Sequence, residues 1–578
     1  ASALVLSGAT LNAPIVALNA GSGGIALGGA TITASTSLDM STLGGGIAQG
    51  SGVISTPLLA SAFNIGGTAN LAGTNTINAI GGVSVTGGAF VLSDSIASLG
   101  VTGPLIADSV TIGAGSGLLA PNAVSVGGSI GATGNLLIAS NGAIALNAGA
   151  AVTGGMVAFG GTGITIANTA TLGQTTGVVD LSTAGAVTGV VESAGGVIRA
   201  GTLQSSSNIA GPATLDSTGN TISAIGTLVA SGNVTLGDSG ALTINGKLAA
   251  PNIVIDPAAA PASVTVSGSL GADALVSLTS TGAINLISGA LVTGTGITLA
   301  GGGAISVGGG AVLGTTAATV GLATTGGGVT ESAGGIIRAA ALVPGAISGT
   351  VDLAGVANTI AALGAVTVTG GDFTLDTTGS LAVNGALNAG NIALSSATLG
   401  IHADLTASNS VALVGGSGGI ALDHTISGST LALGSGGGIT EAATTKLQTP
   451  TLISAGTLSG AVDLSAGDNS ISTLGNLSAS GAAVTLTDGG VAALVVSGPV
   501  QVGSLTLNGV PAIGVTGGIT ASGEVSLAAG ASGIAFGAAS VVSAPTITLA
   551  SGGGVTEAAG GALTGGGTLQ SAGTITGN

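Results

Sequence analysis

Short stretches of the form apolar–x–apolar return about every 20 residues along this chain. Ile392–Leu394, Val411–Leu413, Leu431–Leu433 and then Leu452 start at steps of 19, 20 and 21 residues. Val484–Leu486, Leu505–Leu507, Val525–Leu527 and Ile547–Leu549 continue at 21, 20 and 22. Alternation over three to five residues, rich in β-branched types and bounded by Gly and Asn, reads as strand. With 113 glycines in 578 residues, no helical stripe survives more than a few positions. A strand-bearing repeat of this length predicts an all-β fold, a parallel β-helix or β-solenoid. Dividing 578 residues by a coil of about 20 gives about 29 coils in one continuous solenoid over residues 1–578. At a strand spacing of about 4.8 Å, the expected rod is on the order of 140 Å long.

A second, longer period lies over the first. "NTINAIG" begins at Asn75, "NTISAIG" at Asn220, "NTIAALG" at Asn358 and "NSISTLG" at Asn469. An acid precedes three of these, at Glu192, Glu331 and Glu441, while Gln49 stands in the first. The acid sits in near-identical phrases such as "GGGVTESAGGIIRAAAL" from Gly326 and "VESAGGVIRAGTL" from Val191. An Asp follows each Asn by 18 or 19 residues, at Asp94, Asp238, Asp376 and Asp488. These markers divide the chain into super-repeats of roughly 44–186, 187–325, 326–435, 436–551 and 552–578. The last opens with Glu557 and breaks off before its Asn, so the sequence reads as a segment or as a protomer that another continues.

The recurring polar residues read as structural turn positions. In "GVTESAGG" the Glu lies between a short strand and a Gly pair, which suggests a corner carboxylate that caps turn amides. In two copies Arg199 and Arg338 follow seven residues later and offer a base on the next face. The Asp series, in "SDS", "GDSG", "LDTTG" and "TDGG", reads as Asx-turns. A ligand site once per repeat is the sharper alternative. It is opposed by Gln49 and by the lack of a second acid nearby. The calcium-binding nonapeptide GGxGxD is absent, so no calcium roll is expected.

Composition closes off other classes. There is no Trp, Tyr or Cys and there are five Phe, so the interior must be filled by Ala, Val, Leu and Ile, and a narrow coil is expected to leave no room for rings. Mean hydropathy is +0.80, far from a disordered composition. Net charge is −17, with only Arg199, Lys247, Arg338 and Lys446 as bases. Four scattered bases cannot neutralise a nucleic-acid backbone or bind an anionic membrane surface. No apolar run reaches membrane-helix length, aromatic girdles for a membrane barrel are missing, and "ASALVLSGATLNAP" lacks a charged n-region. No amphipathic or charged segment caps either terminus, so open strand edges and end-to-end pairing are expected.

"GGGVTE", "NTISAIG" and "SLAVNGALNAGNIAL" resemble the repeat region of filamentous-haemagglutinin-like exoproteins of Gram-negative bacteria. The resemblance covers essentially the whole chain. It implies a secreted right-handed β-helix acting as an adhesin, a matrix fibre or a stalk for a toxic tip. Some such proteins leave the cell by the two-partner route, whose NPNG-like motif is absent here.

No catalytic residues, cofactor or metal site are expected. Only His402 and His424 could serve a nucleophilic triad; their separation of 22 residues suggests a stacked surface pair, with Asp404 and Asp423 nearby. Polysaccharide-active enzymes also use β-helices, but need clustered acids with a base, usually beside aromatics. "GGSGG" at Gly415 has no following Lys–Ser/Thr and implies no phosphate loop. Threonine ladders for ice binding would need "TIT" at Thr31 and Thr546 and "TVT" at Thr367 to share one register. The expectation is an extracellular structural protein that associates with itself into filaments or bundles and contacts host or neighbouring-cell surfaces. A passive stalk for a functional tip is the alternative.

Overall fold

The computed structural model describes residues 2–115, 117–183, 187–255, 259–565 and 568–571. The end of the first super-repeat at 184–186 and the tail of the fifth at 572–578 lie outside the described residues. The described chain is all-β without a helix, and parallel coils stack into a β-solenoid of about 26 turns. It divides into two compact units, residues 1–285 with 289–294, and residues 286–288 with 295–578.

In the first unit a coil carries three strands. Leu99–Val101, Leu105–Ala107 and Ser109–Ile112 form one coil, and Val124–Val126, Ser129–Ala132 and Asn135–Ala139 form the next. Each strand pairs in parallel with its counterpart one coil on, so like side chains stack. Val101, Val126, Leu146 and Ile166 make one inward column. Leu105, Ile130, Val152 and Leu172 make a second, and Ile112, Ile138 and Phe159 a third. Alternation places every second residue in these columns, where nearly all are fully buried. Each such side chain contributes roughly 1.5–3 kcal/mol by leaving water.

The second unit repeats the plan. Leu394, Leu413 and Leu433 stack in one column, Leu399, Ile420 and Ile439 in another, and Leu405, Ile426 and Leu447 in the third.

Two expectations are corrected. The coil is longer than about 20 residues, which lowers the count from about 29 to about 26 turns. Ile392 pairs with Val411 after 19 residues, but Leu4 pairs with Ile25 after 21, Val179 with Leu203 after 24, and Val110 with Leu136 after 26. The extra residues fall at corners, where the register shifts, as between Gln174 and Val178 opposite Ala200 and Thr202. The coil also has room for rings, since Phe90, Phe159, Phe373 and Phe536 are buried and Phe63 alone is exposed. Phe90 stacks between Ala69 and Val110, and the small Ala69 leaves space for its ring.

Candidate functional site

The repeated polar residues gather where the ladder changes register. Leu71 pairs with Leu92, but two positions later Asp94 faces Asn75, so the earlier coil carries two extra residues at this corner. In the other repeats, Leu215 pairs with Leu236, Leu353 with Leu375 and Leu464 with Leu486, and each is followed five residues later by Asn220, Asn358 or Asn469. Such a loop leaves backbone N–H and C=O groups without ladder partners, and buried polar groups need partners.

The Asn side chain supplies them. All four Asn residues are fully buried. Their Oδ1 atoms accept the N–H groups of Ile54 (3.0 Å), Ile198 (2.7 Å), Ile337 (2.7 Å) and Leu447 (3.1 Å), each from the preceding coil. Their Nδ2 groups donate across the loop to the carbonyls of Leu71, Leu215, Leu353 and Leu464. In three repeats Nδ2 also reaches the following coil, at the carbonyls of Ser93, Gly237 and Thr487. One amide thus ties three coils together.

The acids meet the Asn from the preceding coil. Glu192 stacks on Ile166, Glu331 on Val307 and Glu441 on Leu422, so each stands in an inward, apolar column. In "VTE" the Val points in, the Thr points out and the Glu points in. Glu192 Oε2 accepts from Asn220 Nδ2 (2.8 Å) and Ser217 N (3.3 Å). Glu331 Oε2 accepts from Asn358 Nδ2 (2.7 Å) and Gly355 N (3.0 Å), and Glu441 Oε2 from Asn469 Nδ2 (3.0 Å) and Ala466 N (2.8 Å). Burial pushes all three carboxyls above the usual Glu range, partly offset by these donors. Arg199 and Arg338 stay exposed, outside this cluster. Gln49 fills the same place in the first repeat. Glu557 stacks on Phe536 but is exposed.

The Asp series closes the cluster from the following coil. Asp94 accepts the N–H groups of Ile77 (3.2 Å) and Ile96 (3.1 Å), and burial pushes its pKa up to about 6 against those donors. Asp238 accepts from Ile222 N (2.8 Å), and Asp488 from Ile471 N (2.6 Å) and Gly490 N (3.0 Å). Both are raised, with burial as the main cause. The third repeat departs from the series. Thr377 holds this place, with its Oγ1 taking Ile360 N (3.0 Å) and donating to Asn358 O (3.2 Å). Asp376 lies one residue earlier, half-buried, and alternation turns it off the inward column.

No known family, curated protein or solved structure matches the chain. Function must therefore be argued from the geometry.

A further buried carboxylate went unmarked by the repeats. Asp180 accepts from Ser182 N (3.1 Å), Ser206 N (3.0 Å) and Gln204 Nε2 (3.1 Å), and from Ser206 Oγ. No repeat shares it, so periodicity could not flag it.

The histidines are arranged differently from a stacked pair. Ile401 pairs with Leu422, a step of 21, so His402 stands over Asp423 and not over His424. Asp423 accepts from both rings, Oδ2 from His402 Nδ1 and Oδ1 from His424 Nδ1, each at 2.8 Å. Its slight burial favours the neutral acid, but the two rings outweigh that and hold it below the usual Asp range. Asp404 accepts Thr425 N at 3.1 Å. Among the described residues no group of three or more His, Asp or Glu is placed to hold a metal.

Proposed function

We propose that this chain is a structural protein, a β-solenoid that builds an extracellular fibre or cell-surface appendage. The observation that carries this reading is the use made of the buried residues. Within each unit, apolar columns and buried amides serve coil-to-coil stacking, and the repeated polar cluster fastens corners instead of presenting groups to a substrate. Tension along such a stack is shared by parallel ladders on three faces, each bond contributing about 0.5–1.5 kcal/mol net. The resemblance to filamentous-haemagglutinin-like exoproteins and the absence of cysteine point the same way.

Assembly would proceed by end-to-end and lateral packing into filaments or bundles, for adhesion or as biofilm matrix. Exposed apolar side chains support lateral contact: Leu43 and Val356 are each 86% exposed and Phe63 71%. Electron cryo-microscopy of the native material, paired with its mass on a denaturing gel, tests the proposal. Long filaments that denature to subunits near 52 kDa support a fibre-forming protomer. Filaments that denature to one giant band support a repeat region within a larger fibrous chain. Separate short rods would replace the fibre with a passive stalk for a functional tip.

A further inference from the structure

Gln49 and Asn75 face each other as two primary amides. Gln49 Nε2 donates to Asn75 Oδ1 at 2.8 Å, and Asn75 Nδ2 donates back to Gln49 Oε1 at 3.0 Å. The pair closes a ring of two hydrogen bonds, with one donor on each side.

Glu takes the place of Gln49 in the next three repeats, and half of the ring persists. Asn220, Asn358 and Asn469 still donate through Nδ2 to Glu192, Glu331 and Glu441 Oε2. The other carboxyl oxygens, Glu192 Oε1, Glu331 Oε1 and Glu441 Oε1, are buried without a hydrogen-bond partner. Each is the counterpart of Gln49 Nε2, the atom that donates in the first repeat. An ionised carboxylate can only accept, and so can the Asn Oδ1. The Asn Oδ1 atoms already accept a backbone N–H, from Ile198, Ile337 and Leu447, but an ionised Oε1 buried in the apolar column would have no donor at all, a costly conflict.

A proton on Oε1 removes the conflict. We propose that Glu192, Glu331 and Glu441 are neutral carboxylic acids in the folded chain at neutral pH, each closing a two-bond acid–amide ring with Asn220, Asn358 and Asn469. The surroundings favour this form. The charged groups acting on Glu192 are Asp216, on Glu331 Asp352 and Asp376, and on Glu441 Asp463, all of one sign. The nearest bases in sequence point away: Arg199 and Arg338 are exposed, and Lys446 pairs with Asp468 at 3.2 Å. A bound cation is disfavoured, since no described group of three acids converges here. The repeated acid is then a proton-holding lock on the corner, and it opens as the proton leaves.

The chain has five Glu, so carboxyl 13C resonances of a protein labelled at the Glu side-chain carboxyl can be assigned one by one with E192Q, E331Q and E441Q. These variants should fold, because the amide of Gln49 already occupies this place. Three carboxyl signals should keep the protonated position at about pH 7 and shift only above it. Titration of all three near the ordinary value of about 4.3 would overturn the proposal. As a second readout, the melting temperature of the triple variant should fall less than that of the unsubstituted chain between about pH 5 and about pH 8. Parallel curves would overturn the proposal. So would a rise in melting temperature on adding calcium that the triple variant does not share.

Discussion

Asn220 shows how much one buried side chain carries. Its truncation to Ala would strand Ile198 N–H, the Leu215 and Gly237 carbonyls and the Glu192 carboxyl together. Each stranded group costs about 1–3 kcal/mol, so Asn220→Ala should lower stability by on the order of 3 kcal/mol or more in urea unfolding. A loss below about 0.5 kcal/mol, the size of an ordinary surface change, would sink this account. The third repeat offers a sharper contrast. Thr377→Val removes the hydroxyl that accepts Ile360 N and should cost about 1–2 kcal/mol, while Asp376→Asn one residue earlier should change stability by less than about 0.5 kcal/mol. Equal effects would mean that Asp376 shares the role. The sequence made the Glu, Asn and Asp positions visible through recurrence, and "VTE" held the inward direction of the Glu in its alternation. Thr377 was not legible, because "LDTTG" offers an acid at the recurring spacing and only the side-chain direction separates it from its neighbour. Asp180 had no repeat to reveal it.

At the scale of the strand and its corner, period-two alternation made the β-solenoid legible, but it did not give the coil length. Runs of unbroken register are short, six residues over Ile15–Ala20 and five over Ile392–Ser396, because each fills its column, whereas the register shifts at corners take up insertions at little cost in ladder bonds. The steps between residues 392 and 452 are among the shorter ones, and counting from them overestimates the turns. Corners are constrained in a different way, by backbone stacked on backbone. A Cβ added at Gly246 would collide with the Gly226 carbonyl carbon, and one at Gly268 with the Gly246 oxygen. Gly246→Ala should therefore force the coils apart and cost about 1–3 kcal/mol, the usual range for overpacking. Gly379 is exposed with nothing within 4 Å of an added Cβ, so Gly379→Ala should be neutral or stabilising by up to about 1 kcal/mol. Thermal melts of the two variants side by side test whether close approach, and not glycine content as such, sets the corner.

Across the whole molecule six largely buried acids act in one direction. Asp94, Asp238, Asp488, Glu192, Glu331 and Glu441 all lie above their ordinary ranges, with burial as the leading cause. A group whose folded pKa is raised stabilises fully below its unfolded pKa, and that stability is lost as pH rises through the folded value. For Asp94 the window runs from 3.8 to about 6, and a shift of about two pKa units corresponds to on the order of 3 kcal/mol. Asp423, lowered and exposed on its outer face, opposes this weakly. Net charge adds to the main trend, since a chain at −17 repels itself more as its last carboxyls ionise. Many proteins gain stability when acid pH is raised towards neutrality, because their paired carboxylates are restored. This chain should do the opposite, with a melting temperature that falls from about pH 4 to about pH 7. Asp94→Asn keeps an oxygen to accept Ile77 N and Ile96 N but cannot ionise, so it should flatten that slope. A melting temperature that climbs with pH through this window would mean that the corner carboxyls are stabilised as charged groups, and that their burial is outweighed by the backbone donors around them.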